Sequence, residues 1–501
     1  MKKIVVIAII VALCLTPLTA FETDAATDKT STYWDEGVYS YRTFGVGNEA
    51  SPYRSTITGY ADGNISDIKI KAALEGYPLT IIGSNSFSGG ITSVIVPATV
   101  KTIEDNAFSA CGVLKDAYFL GDIPTLGTDA FPAGVEFHYL VETDGWNSYA
   151  GAKKEMISTI EGGLKYYVAN SVATVHEYIS GTNITIPSEI IAGGIDYPVE
   201  RLGAYAFHRV SGDPISIIFS DNLKVIEERA FYGCSALSTI SIDVPYINDE
   251  AFRECRNFQG IDGKIIIPDS VKYIGFEAFR MCHSITYVEV KGPFDFFGEG
   301  VFRASFALEE IYISGIETTG PWFLDNCTSL KKVTFGDGVV SIGANSFVND
   351  NALETVILPN SLRTIGENAF KGCKNLSSVS LGGVETIGAG AFYDCDSLKS
   401  IKIPKSVTKI DYRAFAMCNN LSEALFEGEL PEIGDQAFTG CSAKFVIKYK
   451  EDNAASWSDY SDYPTMVAND NDPDNMMLYV IIAAIAVVAA VSLLVIMRMR
   501  K

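Results

Sequence analysis

The sequence predicts a β-rich α/β solenoid, built from repeats of about 23 residues with short parallel strands on one face and divided into two capped arrays. Three observations predict it. A Phe recurs at nearly constant spacing, each recurrence carries the same flanking pattern, and the pattern ends in an apolar alternation that suits a strand. The clearest copy is Ile387-Gly-Ala-Gly-Ala-Phe-Tyr-Asp-Cys-Asp-Ser-Leu-Lys-Ser-Ile-Lys-Ile-Pro404.

Within that unit, Ile387 leads into Ala391-Phe392, predicted as a short helical or 3₁₀ turn opposite the strand, with Gly388 relieving the corner. Leu398-x-x-Ile401-x-Ile403 then alternates, placing Ile401 and Ile403 inward and Lys402 outward. Pro404 ends the strand because it cannot continue a backbone ladder. Val407 and Ile410 turn inward again. Such a unit cannot bury its apolar face alone, so neighbouring units must stack.

Aligned on the repeat Phe, the chain reads Phe87, Phe108 and Phe131, then jumps 76 residues to Phe207. It continues through Phe231, Phe252, Phe279, Phe302, Phe323, Phe347, Phe370, Phe392 and Phe415 to Phe438, at spacings of 21 to 27 outside the jump. The jump separates two arrays with matching ends. Phe137-His-Tyr-Leu-Val followed by Trp146-Asn-Ser-Tyr149 parallels Phe445-Val-Ile-Lys-Tyr followed by Trp457-Ser-Asp-Tyr460. Ser55-Thr-Ile-Thr-Gly-Tyr60 likewise parallels Ala173-Thr-Val-His-Glu-Tyr178. The expected organisation is a short solenoid over 38–152 with its C-terminal cap, a linker at 153–157, and a long solenoid over 158–462 with its own cap.

The flanks carry targeting signals. Residues 1–20 read as a secretory signal: Lys2 and Lys3, an apolar run from Ile4 to Leu15, and small residues ending at Ala20. Cleavage as late as residue 26 fits equally. Residues 21–37 read as a flexible leader and 463–475 as an acidic stalk. Residues 476–497 are apolar throughout and long enough to span a bilayer as a helix, for which about 20 residues suffice. The basic tail at 498–501 should stay cytoplasmic, which places the bulk of the chain outside a cell membrane as a single-pass protein. The formal charge of −22, from 39 Lys and Arg against 61 Asp and Glu, excludes a nucleic-acid partner, which needs a basic stripe.

The unit Ile-Gly-x-x-Ala-Phe-x-x-Cys-x-x-Leu-x-x-Ile-x-Ile-Pro-x-Ser-Val resembles the BspA-like, or Treponema-type, leucine-rich repeats over roughly residues 50–460. Good copies run from Ile274 to Val290 and from Ile365 to Leu381. The Pro-x-Ser-Val/Leu element recurs at Pro268, Pro359 and Pro404. The resemblance implies a right-handed leucine-rich repeat solenoid on a microbial surface, engaged in adhesion or protein binding. Val210, Ser305 and Asp350 depart from it by replacing the repeat Cys. Trp322-Phe323 replaces Ala-Phe, with Cys327 one place late, so irregular packing is expected there.

Chemistry-bearing motifs are absent. There is no Gly-x-Ser-x-Gly, His-Glu-x-x-His or phosphate loop, and no cofactor is expected. His138, His176, His208 and His283 are isolated in sequence and lack ligand spacing. No motif singles out a carboxylate pair, so the carboxylates read as surface charge. Nine Cys from Cys111 to Cys441 sit at one repeat position. Stacked neighbours would bring them within disulfide range, but periodic single Cys, odd in total, favour small buried fillers. Sequons at Asn64, Asn183, Asn326, Asn375 and Asn420 follow from the repeat's composition. In Pro293-Phe-Asp-Phe-Phe297, Phe294 and Phe297 fall on core positions and leave only Phe296 outside.

The candidate ligand-facing column is the outward position between the two strand Ile residues: Ser241, Ile266, Glu289, Tyr312, Thr334, Ile357, Ser380, Lys402 and Leu425. The expected function is non-enzymatic binding of an extracellular protein or glycan by a membrane-anchored scaffold. Lateral self-association in an envelope layer is the alternative, and hydrolysis of a surface polymer the remote one.

Overall fold

The computed structural model describes residues 27–33, 37–44, 54–60, 65–74 and 77–468. The signal at 1–20, residues 469–475 of the stalk, the apolar run at 476–497 and the basic tail lie outside them. Among the described residues, no helix is long and apolar enough to cross a membrane. The chain divides into two compact units, 1–156 and 157–501.

Both units start antiparallel and continue parallel. In the first, Gly37–Phe44 pairs antiparallel with Arg54–Tyr60, which then runs parallel to Tyr77–Ile82. In the second, Ser158–Glu161, Leu164–Ala169 and Val172–Tyr178 form an antiparallel meander, and its last strand runs parallel to Ile195–Leu202. The leader expected at 21–37 is corrected in part. Thr27–Tyr33 is a strand paired with Gly37–Phe44, consistent with its Thr- and Tyr-rich composition.

Each coil contributes to two parallel ladders, where the sequence pattern suggested a sheet on one face. Lys264–Ile267, Tyr287–Lys291, Glu310–Ser314, Lys332–Phe335, Thr355–Ile357 and Ser378–Val379 form a six-stranded sheet. The two-residue strands Ser341–Ile342, Thr364–Ile365, Thr386–Ile387, Lys409–Ile410 and Glu432–Ile433 stack into a second sheet. Two residues carry no alternation, so this ladder has no period to read.

The Phe turn is not helical. Left-handed residues flank the Phe on both sides: Gly390 and Asp394 around Phe392, Arg413 and Met417 around Phe415. A helix needs consecutive right-handed residues, and its N–H groups must bond backward along the chain. Here every second N–H bonds forward to the next coil: Phe370 N donates to Ala391 O, Phe392 N to Ala414 O and Phe415 N to Ala437 O, each at 2.7 Å, while those between, such as Tyr393 N to Gly390 O, close only three-residue turns. A non-Gly left-handed residue costs about 1–2 kcal/mol, so the inter-coil bonds must outweigh that strain in every repeat.

The repeat Phe rings line the core as a stack. From Phe347 through Phe370, Phe392 and Phe415 to Phe438, successive centroids lie 5.0–5.3 Å apart with planes within 11°. The stack breaks where the motif departs: Phe302 meets Phe323 edge-on, at 5.9 Å and 76°.

Each C-terminal cap buries a Trp against the aromatic side chains of the last strands. Trp146, in a 3₁₀ turn over Trp146–Ser148, packs against Phe119 at 4.8 Å and Tyr139 at 5.3 Å. Trp457, ending a short helix over Ala454–Trp457, stacks on Tyr449 at 5.4 Å. Each cap then adds one more strand. Lys153–Glu155, expected as linker, pairs parallel with Phe137–Tyr139, and Thr465–Val467, expected as stalk, pairs with Ile447–Tyr449. Covering the last coil's backbone requires such a strand, whatever its composition.

Removing one ring tests the stack. Phe392→Ala should destabilise the second unit by roughly 3–5 kcal/mol. Amide exchange should accelerate first in the coils around Phe370 and Phe415, because each coil leans on its neighbours. Unchanged exchange there would show that the ring stack is dispensable.

Candidate functional site

The outward face of the six-stranded sheet is set by strand alternation. Val288, Ile311 and Val333 point into the core, so the residues on either side of each must face out. Register then aligns Ile266, Glu289, Tyr312, Thr334 and Ile357 across five adjacent strands. A second outward row runs beside it: Lys264, Tyr287, Glu310, Lys332, Thr355 and Ser378. The sequence reading missed this row because it followed only the position between the two strand Ile residues. The position before the first of them faces the same way.

The rest of the predicted column is scattered. Ser241 and Ser380 fall just past the ends of Leu237–Ile240 and Ser378–Val379. Lys402 and Leu425 are register partners in a different sheet. Leu425 is corrected outright: it is only 3% exposed and cannot meet a ligand. It lies in register between Lys402 and Lys448, whose ammoniums reach Glu427 at 2.8 Å and Glu423 at 2.7 Å. Long Lys stems held in this way cover apolar surface. Ile218, exposed and in register with Thr185, was left outside the predicted column.

Charges on the sheet face are mostly engaged with one another. Lys332 bonds Glu310 at 2.5 Å, Lys291 meets Glu289 at 2.9 Å, and Lys264 lies 5.6 Å from the Tyr287 ring centroid. Burial, with Glu289 and Glu310 nearby, pushes the Tyr287 phenol up to about 12, so it stays a neutral hydrogen-bond donor. What the face offers a partner is therefore apolar and aromatic: Ile266, Tyr287, Tyr312 and Ile357. Phe296 projects from the other ladder and stacks on Tyr273 at 4.9 Å.

The carboxylates are not all surface charge, which corrects that expectation. Glu227, Glu250, Glu277 and Asp325 are buried and paired with Arg. Arg229 meets Glu250 at 3.0 Å, Arg253 and Arg280 meet Glu277 at 2.8 Å, and Arg303 meets Asp325 at 2.8 Å. Burial alone would lower the Arg229 pKa, but Glu250 and Tyr205 beside it raise it. Most of these pairs join one coil to the next. A buried charge without such a partner would be strongly destabilising.

The repeat thiols are free, and all but Cys441 are fully buried. Each of seven donates its S–H to the carbonyl of the Phe one coil back, as in Cys395 to Phe370 at 3.2 Å and Cys418 to Phe392 at 3.0 Å. Ser305 keeps the contact by donating to Phe279 O at 3.4 Å. Asp350 does not reproduce it. Its Oδ1 accepts from Cys327 N at 2.7 Å, while its buried Oδ2 has no hydrogen-bond partner. Burial pushes this carboxyl well above its usual range.

The structure also assembles a cluster that isolated His residues did not suggest. His138 Nε2 lies 2.7 Å from Asp116 and 3.7 Å from Glu136, and the three donor atoms fall within 4.8 Å of one another. Glu136-x-His138 puts two donors on one face of a strand, and Asp116 is the register partner of Glu136 in the preceding coil. The signal was present, but only once the strands were aligned.

Against known families, the chain matches the BspA type leucine rich repeat region, in six copies, over residues 59–140, 178–264, 200–329, 263–377 and 340–455. No curated protein matches it. Among solved structures it is similar to a leucine rich cell surface protein from Faecalibacterium prausnitzii, with 22% identity over 81% of this chain and 96% of that one, at a TM-score of 0.31. A leucine-rich repeat protein from Bacteroides ovatus shares 20% identity over 90% and 100% of the two chains, at a TM-score of 0.36. The pneumococcal vaccine antigen PcpA shares 15% over 88% and 99%, at a TM-score of 0.29.

Two measurements check the buried column. Because burial pushes thiols such as Cys111 and Cys234 up to about 11, thiol reagents should label the repeat thiols slowly in the native protein and all nine of them, Cys111 to Cys441, on denaturation; a shortfall would reveal disulfides. Asp350→Cys in reducing buffer should stabilise the protein by about 1–3 kcal/mol, the penalty of an unpaired buried polar group. The sign with pH is fixed by the raised carboxyl. Wild-type stability is full below the unfolded value of 3.8 and falls as pH rises toward the folded value. The variant's advantage in thermal melts should therefore be larger at pH 7 than at pH 4.

Proposed function

This chain belongs to the BspA-type leucine-rich repeat family, and we propose that it works as a cell-surface binding protein that engages an extracellular protein through the outward face of its six-stranded sheet. The observation that carries the reading is the register-locked row of Ile266, Tyr312 and Ile357 with Tyr287 beside it. Tyr is favoured at binding hot spots because it brings large contact area at little entropic cost. The neighbouring ion pairs keep the face soluble without competing for the same contacts.

Membrane anchoring is part of the proposal. It is supported by the apolar run at 476–497 with Arg498, Arg500 and Lys501 after it, and by the signal-like residues 1–20. The mechanism is passive: a rigid sheet presents fixed side chains, and no step of bond chemistry is required. A glycan partner would use Tyr287 and Tyr312 as stacking surfaces, whereas a protein partner also needs the aliphatic Ile266 and Ile357.

The test is a pull-down of extracellular proteins by wild type and by an Ile266→Glu/Tyr312→Ala/Ile357→Glu variant with an unchanged thermal melt. The variant should lose at least about tenfold in affinity for whatever the wild type retains, since each buried anchor contributes more than about 1 kcal/mol. Equal retention by both proteins would move the interface elsewhere. Sedimentation of the wild type alone reports on lateral self-association.

A further inference from the structure

We propose that Asp116, Glu136 and His138 form a binding site for a divalent transition-metal ion of the zinc type, on the outward sheet face at the C-terminal end of the first unit. The site is built by strand register. Asp116–Phe119 and Glu136–Tyr139 run parallel, with Asp116 opposite Glu136 and Tyr118 opposite His138. Glu136 and His138, two residues apart, share one face. All three side chains therefore converge without a loop or a long rotamer to hold them.

The geometry suits an ion more closely than chance surface acidity does. His138 is only 8% exposed, and its ring stacks on Tyr118 at 4.4 Å and 16°, which fixes the direction of Nε2. That nitrogen points at Asp116 Oδ1, 2.7 Å away, and Glu136 Oε2 lies 3.7 Å from it. An ion held tetrahedrally at about 2.0–2.2 Å from each donor spaces them roughly 3.3–3.6 Å apart, so ion entry replaces the His138–Asp116 hydrogen bond by opening that pair slightly while the exposed Glu136 carboxylate closes in.

The donor set selects the class of ion. One imidazole and two carboxylates suit zinc-like ions, whereas calcium takes six to eight oxygen ligands, and only two side chains here offer oxygen. Two carboxylates also neutralise the ion's charge. Lys154, the register neighbour of His138 on the other side, opposes binding through its charge, but it is exposed and free to swing away. Three protein donors leave a fourth position open to solvent, the arrangement of an ion that can accept a further ligand from outside. Bound there, the ion would tie the strand Asp116–Phe119 to its neighbour Glu136–Tyr139.

The experiment is calorimetry of the metal-stripped full-length protein in detergent with zinc chloride, with calcium chloride as control. One zinc ion per chain should bind, and calcium should bind at least a hundredfold more weakly. Asp116→Asn and His138→Gln should each weaken zinc binding at least tenfold, and His176→Gln should leave it unchanged. Should His138→Gln fail to fold, Glu136→Gln takes its place, because that carboxylate is exposed and its loss spares the core. Cobalt chloride offers an independent readout, since ligation by His138 should produce visible absorption that Asp116→Asn abolishes. Zinc binding that is absent, or equal in wild type and in Asp116→Asn, overturns the site and leaves His138 and Asp116 as a hydrogen-bonded pair only.

Discussion

The structure depends on one constraint: the Phe turn sends every second backbone donor forward to the next coil. Phe392 N bonds Ala414 O, and the Phe392 carbonyl in turn accepts the Cys418 thiol. With every second donor committed to the next coil, as at Gly390, Phe392 and Asp394, a continuous helix is excluded and left-handed residues are tolerated. The ring stack, the small Ala before each Phe and the thiol after it then follow as ways to fill a corner whose spacing the hydrogen bonds have set. A coil without a successor leaves donors unmet, which is why each array must end in a Trp-bearing cap and an added strand.

That constraint also shapes the face available to a partner. Parallel strands locked in register repeat whatever occupies an outward position in the next coil, so a short motif becomes an extended surface. Most of the charges on the face pair with residues on the same or a neighbouring strand, as Lys332 does with Glu310. Ile266, Tyr312 and Ile357 have no such internal partner to satisfy, which separates residues that maintain the sheet from residues left over for recognition. The buried Arg and Glu pairs of the second unit belong with the maintenance group, because they join coil to coil.

Departures from the repeat show which parts of the unit are chemically required. Ser305 keeps the donor that Cys supplies and changes little, whereas Asp350 brings a carboxylate into a position built for a thiol and leaves an oxygen unpaired. Trp322-Phe323 disturbs the ring stack yet leaves the thiol bond from Cys327 to Phe302 in place. Ring orientation and the thiol bond can therefore vary independently, for Val210 and Asp350 give up the donor that Ser305 keeps.

The repeat period, the inward Ile and Phe residues, the buried Cys and the two matching Trp caps were all legible in the sequence, because each follows from spacing and side-chain type. The two-residue ladder was not, since two residues have no period. Leu425 looked outward by alternation, and only the Lys stems beside it in register decided that it is covered. Asp116, Glu136 and His138 show the same limit from the other side, for strand register turns residues a whole repeat apart into neighbours. The sequence by itself determined what each coil is made of; which residues meet across coils was decided by the hydrogen-bonded register, a property of the stack and of no single repeat.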